Sequence, residues 1–511
     1  MVDHFPLSRR GFLGLGLGAG AALTLAACSA GSSGRSPVLP DSPAVAAAER
    51  VRRAPGAAVR EVALRAEPAT VDLGGVQAAT WVFDGQLPGR EIRVRRGEVL
   101  RARVTNALPA PTTAHWHGIA LRNDMDGVPD LTGPAIAPGG RFDYEFTVPD
   151  AGTYWFHSHV GVQLDRGLYA PLIVEDPADG SDYDLEAVVV LDDWLDGING
   201  RDPDRELSAL RAKGMAGMDM SGGSMGGMRM GTGAMSMPAD PNAPLGSDAG
   251  DVKDYPYYLI NGRIGADPQT IAARAGQRIR LRIINAGADT AFRVAVGGHR
   301  MRVTHTDGFP VVPVDTNSVL IGMGERYDAI VELGDGVFPL VAAAEGKSGQ
   351  GFALIRTGGG TPPPADVRPH ELAAAPLTAD RLTAADSVRL PERKPAETLD
   401  LTLGSDKTKY IWTINGKTYD HRVPVDVTAG QRIRLRFVNS SMMFHPMHLH
   451  GHTFALALPG GTGPRKDTAV VGPMRTVVAD LDTVNPGQWM LHCHNAYHGE
   501  AGMMTVLSYV S

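Results

Sequence analysis

The chain has 511 residues, of which 43% are hydrophobic and 21% charged, with a net charge of −7 and only two cysteines. That is ample apolar material for several buried cores, while the mild acidity, with basic residues alternating with acidic ones, excludes a nucleic-acid-binding protein. Two cysteines also exclude a disulfide-framed fold, so stability must come from packing.

The amino terminus reads as an address. Ser8-Arg9-Arg10-Gly11-Phe12-Leu13 is a twin-arginine export signature, and the apolar stretch after it is too short and too glycine-rich for a spanning helix. Gly14-Leu-Gly-Leu-Gly18 follows no strand and is not read as a dinucleotide loop. Leu25-Ala26-Ala27-Cys28 has the form of a bacterial lipobox, with a plain alanine-rich cleavage site as the alternative. Residues 1–27 are therefore expected to be a signal peptide and Cys28 a lipidated first residue. The mature chain would sit on the outer face of the cytoplasmic membrane. Residues 28–60, rich in Ser, Ala, Pro and Gly, are expected to form a flexible tether.

An internal repeat sets the fold. Ile260-Asn261-Gly262 leads to Ala275-Gly-Gln-Arg-Ile-Arg-Leu-Arg-Ile-Ile-Asn285, and Ile414-Asn415-Gly416 leads at the same spacing to Ala429-Gly-Gln-Arg-Ile-Arg-Leu-Arg-Phe-Val-Asn439. A looser copy runs from Phe83-Asp84-Gly85 to Asn106. Three copies argue for three homologous domains. Within each copy, apolar and arginine side chains alternate with period two, which predicts a strand with one face buried and one in solvent. Convincing amphipathic helices are few, so the expected class is all-β, three consecutive β-sandwiches. Their expected bounds are 61–178, 179–357 with an insertion at 211–245, and 399–511, with a linker over 358–398. About 450 residues after the leader suit about three domains. The second domain carries no histidine cluster and is expected to act as a spacer, with His299 and His305 as structural or surface residues.

The chemistry lies in four clusters: His115-Trp-His117, His157-Ser-His159, His445-Pro-Met-His448-Leu-His450 and His492-Cys493-His494-Asn-Ala-Tyr-His498, with Met503 five residues later. In an extended strand alternate side chains share a face, so each His-x-His pair aims two rings the same way. Cys493 then points opposite to His492 and His494, which ties two metal sites together through one strand. A thiolate, imidazoles and a weak thioether suit copper, whereas structural zinc takes four thiolate-rich ligands and catalytic zinc would use only three of these residues.

These clusters, two near the start and two near the end, resemble the copper signatures of three-domain multicopper oxidases, the laccase-like family, from about Val62 onward. The resemblance implies cupredoxin-like Greek-key sandwiches and four copper ions. His445, Cys493 and His498 would hold the type 1 copper with Met503 axial, and His115 and His448 the type 2 copper. His117, His157 and His494 would hold one type 3 copper, and His159, His450 and His492 the other. His452 lies beyond the pattern. Electrons would enter at type 1 and pass through Cys493 to His492 and His494, reducing O2 to water. Asp126, in an Asp-Gly pair that could equally be a simple turn, resembles the family's proton-relay carboxylate. Glu500 is a second candidate, although the position directly after His498, where many relatives carry a carboxylate, is Gly499.

Substrate is suggested by eight methionines, Met215, Met218, Met220, Met225, Met228, Met230, Met235 and Met237, set among glycine and serine. Thioethers are soft ligands that suit Cu(I), while a linker of biased composition is the plainer reading. Met442, Met443, Met447 and Met474 could add a route to type 1 or simply pack. Together with twin-arginine export and the lipobox, the segment resembles bacterial copper-resistance oxidases of the actinobacterial lipoprotein type, which turn Cu(I) into Cu(II). The alternatives are laccase-type oxidation of phenols and a copper-sequestering lipoprotein; two-domain nitrite reductases lack the paired clusters. A monomer is expected.

Overall fold

Each copy of the repeat becomes an inner strand of a sheet: Val99–Asn106, Arg278–Asn285 and Arg432–Asn439. Each pairs in parallel with the strand that opens its domain, Val59–Asp72, Leu185–Trp194 or Glu397–Ser405. Each also pairs antiparallel with a later strand, Arg141–Thr147, Arg326–Glu332 or Thr476–Asp482. These relations come from a computed structural model that describes residues 35–180, 182–214, 240–246, 249–406 and 408–511.

The repeated asparagines explain why the copies fold alike. Asp84, Asn261 and Asn415 sit at φ of 55°, 50° and 52°, left-handed backbone that Asn and Asp tolerate better than other side-chain-bearing residues. From there their side chains accept the N–H of Arg65, Val190 and Thr402 on the opening strands. At the far end, the amide nitrogens of Asn106, Asn285 and Asn439 are buried and donate to carbonyls of the following loop, among them Ala110, Thr290 and Met443. Asn closes both ends of the second and third copies, and Asp84 with Asn106 does the same in the first.

The first domain has two four-stranded sheets, and the second and third each pair a six-stranded with a five-stranded sheet. The class is all-β and the domains are cupredoxin-like sandwiches, as expected. Among the described residues the α-helices are short: Pro43–Arg52, Pro203–Lys213 and Ala496–Glu500. None is long and apolar enough to cross a membrane. One apolar network runs from Leu64 to Tyr509 through all three domains, and Pro37–Ser511 packs as one unit. Trp116 lies in it between Tyr144, Phe146 and Phe156. Truncating such a side chain costs about 3–5 kcal/mol, so the strand that carries His115 and His117 is firmly seated.

Two expectations fail. The arginines of the first copy do face solvent, but Arg280 and Arg282 of the second are 2% and 3% exposed. They are covered by the first domain, where Thr153 joins them on Asp328. Periodicity in one strand cannot show that another domain lies on its polar face. Nor is the stretch before Arg60 simply a tether. It contains the helix Pro43–Arg52, whose Glu49 accepts from the N–H and hydroxyl of Thr147 and whose Arg52 donates to Asn485. Alanine and arginine there serve a packed helix, which composition alone does not distinguish from a linker.

Candidate metal centre

Two strand pairs bring the clusters together. His115–His117 runs antiparallel to Gly152–His157, placing His115 opposite His157. His445–Leu449 runs antiparallel to Gln488–Cys493, placing His448 opposite His492 and Met447 opposite Cys493. The first pair belongs to domain one and the second to domain three, and their rings interleave: His115 stacks on His450 at 3.7 Å between centroids and His117 on His448 at 3.8 Å.

The donor atoms fall into close groups: His115, His117 and His448; His117, His157 and His494; His159, His450 and His492; and His445, Cys493 and His498. Within each, one donor atom per residue lies within 4.8 Å of the others. Cys493 therefore stands in one group while its two neighbours in sequence stand in two others.

The hydrogen bonds show that these rings are set up to bind metal. His115, His157, His448 and His492 donate Nδ1–H to the carbonyls of Asp126, Ser158, Asp467 and Cys493, at 2.9, 2.9, 3.0 and 2.9 Å. That fixes the tautomer and leaves Nε2 with a free lone pair. Buried Nε2 of His115, His157 and His448 has no hydrogen-bond partner, nor does either ring nitrogen of His494. His450 donates Nδ1–H to Asp126 Oδ2, and its Nε2 faces Nε2 of His492 at 3.0 Å. Two lone pairs so close repel unless a cation lies between them. Burial, with the neighbouring imidazoles second, lowers the pKa of His157, His450, His492 and His494 well below the ordinary value and that of His159 to about 3. The rings are thus neutral ligands at physiological pH.

The fourth group is a triangle. Sγ of Cys493 is 3.6 Å from Nδ1 of both His445 and His498, and those nitrogens are 3.0 Å apart. One thiol and two imidazoles converging in a buried site match the soft donor set that selects copper. Met503 is buried; its N–H donates to the His498 carbonyl and its carbonyl accepts from Cys493 N–H, so its backbone is knotted to both. Outer atoms are held too: Ser441 Oγ lies 2.9 Å from His445 Nε2, and Asp251 Oδ2 2.9 Å from His498 Nε2. Burial lowers the His498 pKa, but Asp251 and the Cys493 thiol raise it more, to about 10.

Asp126 sits inside the centre, grouped with His115 and His450 and fully buried. Glu500 does not: it ends the short helix after His498, lies in none of the groups, and borders a surface cleft of about 570 Å³ with Arg211, Lys409 and Tyr410. Burial raises its pKa. His452 has both nitrogens occupied, by the His450 carbonyl and the Tyr509 hydroxyl. His299 and His305 are hydrogen-bonded within domain two. Met443 and Met447 are core residues, whereas Met442 and Met474 are 48% and 37% exposed. Cys28 and the eight methionines from Met215 to Met237 lie outside the described residues.

Sequence reasoning missed four residues: Asp251, Gly324, Arg326 and Asp467. Asp467 accepts from His117 Nε2 at 3.0 Å and, bidentately, from Arg326 at 2.8 and 2.6 Å. No spacing announces these, since Asp467 lies 141 residues from Arg326 and 350 from His117. They also correct the idea of the second domain as a spacer, because Gly324 and Arg326 press on the histidine centre from that domain.

Family models described as multicopper oxidase match residues 65–179, 236–360 and 391–510. The chain belongs to the multicopper oxidase family, copper-binding oxidoreductases. It is 47% identical over 509 residues to the multicopper oxidase MmcO of Mycobacterium tuberculosis, covering 99% of this chain and 98% of that one. It is 29% identical to a copper resistance protein A homolog of Pseudomonas syringae pv. tomato, covering 85% and 89%. Among solved structures, a multi-copper oxidase from Pseudomonas thermotolerans superposes with a TM-score of 0.66 at 26% identity, covering 89% of this chain and all of that one.

Proposed function

We propose that the protein couples oxidation of Cu(I) to reduction of O2, as a copper-detoxifying oxidase. Four Cu(I) each give one electron, and O2 takes four electrons and four protons to become two water molecules. The assignment gives His445, Cys493 and His498, with Met503, the type 1 copper, and His115 and His448 the type 2 copper. It gives His117, His157 and His494 one type 3 copper, and His159, His450 and His492 the other. When bound, such coppers supply one-electron centres that can be filled singly and discharged together.

The observation that carries this reading is the junction at Cys493. Its thiol belongs to the outer triangle, while His492 and His494 belong to the inner groups and the Cys493 carbonyl accepts from His492 Nδ1–H. An electron arriving at the thiol has a covalent path and a hydrogen-bonded path inward. Asp126, against His450 and His115, is the carboxylate positioned to hold a proton at the site of reduction.

Support for Cu(I) comes from what surrounds the triangle. Residues flanking the methionine-rich stretch are anchored there: Arg211 donates to the Glu500 carbonyl at 2.7 Å, and Asp251 faces His498. Met442 follows Ser441 directly and Met474 donates its N–H to the Ser441 carbonyl, which ties two exposed methionines to the residue whose hydroxyl meets His445. Thioethers at the electron entry suit a cuprous ion better than a phenol. Oxygen uptake by the copper-loaded enzyme should be much faster with Cu(I) than with dimethoxyphenol. Replacing the eight methionines from Met215 to Met237 by serine should lower the first rate and spare the second. Faster uptake with the phenol would make the enzyme a laccase, and none with either a copper-sequestering protein.

The reading includes twin-arginine export and anchorage through Cys28. Replacing Cys28 by alanine should move the active enzyme from the membrane to the soluble fraction, and unchanged membrane retention would refute the anchor.

A further inference from the structure

One carboxylate at the histidine centre joins all three domains. Asp467 belongs to the third. Its Oδ1 accepts from His117 Nε2 of the first domain at 3.0 Å, and its backbone carbonyl accepts from His448 Nδ1 of its own domain at 3.0 Å. From the second domain Arg326 reaches both of its oxygens, at 2.8 and 2.6 Å, while donating Nε–H to the Thr153 carbonyl of the first at 3.0 Å. Asp467, Arg326 and His117 are all fully buried.

The consequence falls on His117. The other rings fixed by backbone carbonyls spend Nδ1 on that bond and present Nε2. His117 spends Nε2 on Asp467, and its buried Nδ1 is the nitrogen without a partner. Which nitrogen a ring offers is set by what the other one holds. A buried carboxylate can do this only if its charge is balanced, and a bidentate guanidinium balances it in a fixed plane that a lysine could not reproduce. Lys466, Asp307 and Glu325 continue the buried charge network behind it, with Lys466 Nζ 3.1 Å from Asp307 and 3.0 Å from Glu325.

Two glycines make the close approach possible. A Cβ on Gly324 of the second domain would lie 2.9 Å from Cδ2 of His494 and 3.0 Å from Cε1 of His117. On Gly118 of the first it would lie 2.5 Å from both Arg326 Nη2 and Asp467 Oδ2. Both also have φ of 84°, which disfavours any side chain.

We propose that the second domain, although none of its described residues belongs to the inner histidine groups, sets the geometry of the inner copper centre. Arg326 is a positioning residue that holds Asp467, Asp467 turns His117 to bind through Nδ1, and Gly324 lets the domain close on the rings. This rests on the reading of the inner histidines as a three-copper site.

The test replaces the pair together, Arg326→Met with Asp467→Leu. Exchanging both members of a buried ion pair for apolar side chains is often neutral for folding, and Asp307, which also lies 3.6 Å from Arg326, keeps Lys466 as its partner. A merely structural pair would be rescued by that exchange. The inference instead expects the blue thiolate-copper absorption to persist while copper content falls and the near-ultraviolet band and type 2 resonance of the inner site are lost, with inner copper affinity weakened about 10–100-fold. Full copper content with unchanged inner-site spectra would overturn it. Gly324→Ala keeps every charge and gives an independent arm: altered inner-site spectra beside an unaltered blue band are expected, and no change counts against the proposal. A parent enzyme with blue copper but no inner-site signal would instead overturn the three-copper premise itself, so the two failures are distinguishable.

Discussion

At the scale of single residues, two buried carboxylates touch the inner histidines and differ in one respect. Asp467 is neutralised by Arg326, whereas among the described residues the ion-pair partners of Asp126 are imidazoles: His450 at 2.9 Å and His115 at 3.2 Å. In the proposed reaction, the one without a fixed counter-charge is the carboxylate assigned to exchange a proton. Asp126→Asn keeps the shape and the hydrogen-bond acceptor for His450 but cannot take up a proton. It is predicted to retain the blue absorption and the rate at which Cu(I) reduces it, while slowing reoxidation of the reduced enzyme by O2 about 100-fold or more. Stopped-flow mixing of reduced enzyme with O2 measures this directly, and a parent-like rate would remove Asp126 from the proton path. Cys493→Ser, by contrast, is predicted to abolish the blue band and turnover with every reductant while leaving the inner-site resonance in place, since a hydroxyl is a poor soft donor.

Elements explain how such residues are presented. The strand His115–His117 carries a whole His-x-His pair and sends its middle residue, Trp116, into the apolar core; the other pairs straddle strand ends at His157, Leu449 and Cys493, where Cys493 turns to the outer triangle. The loop that carries Ser441 and Met443 toward His445 hangs from the last asparagine of the third repeat. Asn439 Nδ2 donates to the Met443 carbonyl at 2.7 Å and to Gly472 at 2.9 Å, and Oδ1 accepts from Ser441 N–H at 2.9 Å. Asn439→Ala strands these groups, and leaving buried polar groups unpaired costs about 1–3 kcal/mol each. The variant is predicted to lose about 2–4 kcal/mol in denaturant unfolding, given partial repair by water. Its blue band should also shift, because the loop beside His445 is released. The same change at Asn106, far from the triangle, is expected to destabilise without altering the colour, so a colour change there would break the argument.

Across the whole molecule buried charge lies at the domain contacts. Asp328 pairs with Arg280 and Arg282 of its own domain and accepts from the Thr153 hydroxyl of the first. Burial raises its pKa, but Arg280 and Arg282 beside it lower it further, to about 2. A depressed carboxylate contributes stability above its unfolded pKa, near 4, and loses that contribution as the pH falls through its folded value. The contact of the first and second domains is therefore predicted to weaken between about pH 4 and pH 2 and to be insensitive above that window. Asp328→Asn leaves two buried guanidinium groups short of a partner and should cost about 3–5 kcal/mol near neutrality. The gap between variant and parent should shrink across that window, as urea midpoints at a series of pH values would reveal. A gap constant down to pH 2 would mean that this carboxylate does not carry the interface.

The chemistry of the protein is written in the sequence because its signals are local. The spacing His115-Trp-His117 follows from strand alternation, the run His492-Cys493-His494 marks the strand end where two metal groups meet, and the Asn-Gly or Asp-Gly pair with its terminal Asn marks the same turns three times. Both the all-β class and the metal-binding character were legible from these, since each depends on residues within a few positions of one another. What tertiary structure alone decided depends on residues far apart. The burial of Arg280 and Arg282, the helix Pro43–Arg52 where a tether was expected, the partnership of Asp251 with His498, and the placing of Asp467 and Arg326 against His117 are all of this kind. A lone aspartate or glycine carries no period and no motif, and its role appears only when three domains close around the same few rings. Sequence sets which atoms are offered as ligands; packing between domains sets which nitrogen faces inward and where charge is balanced, because burial makes every unpaired charge and every extra methyl at that junction costly.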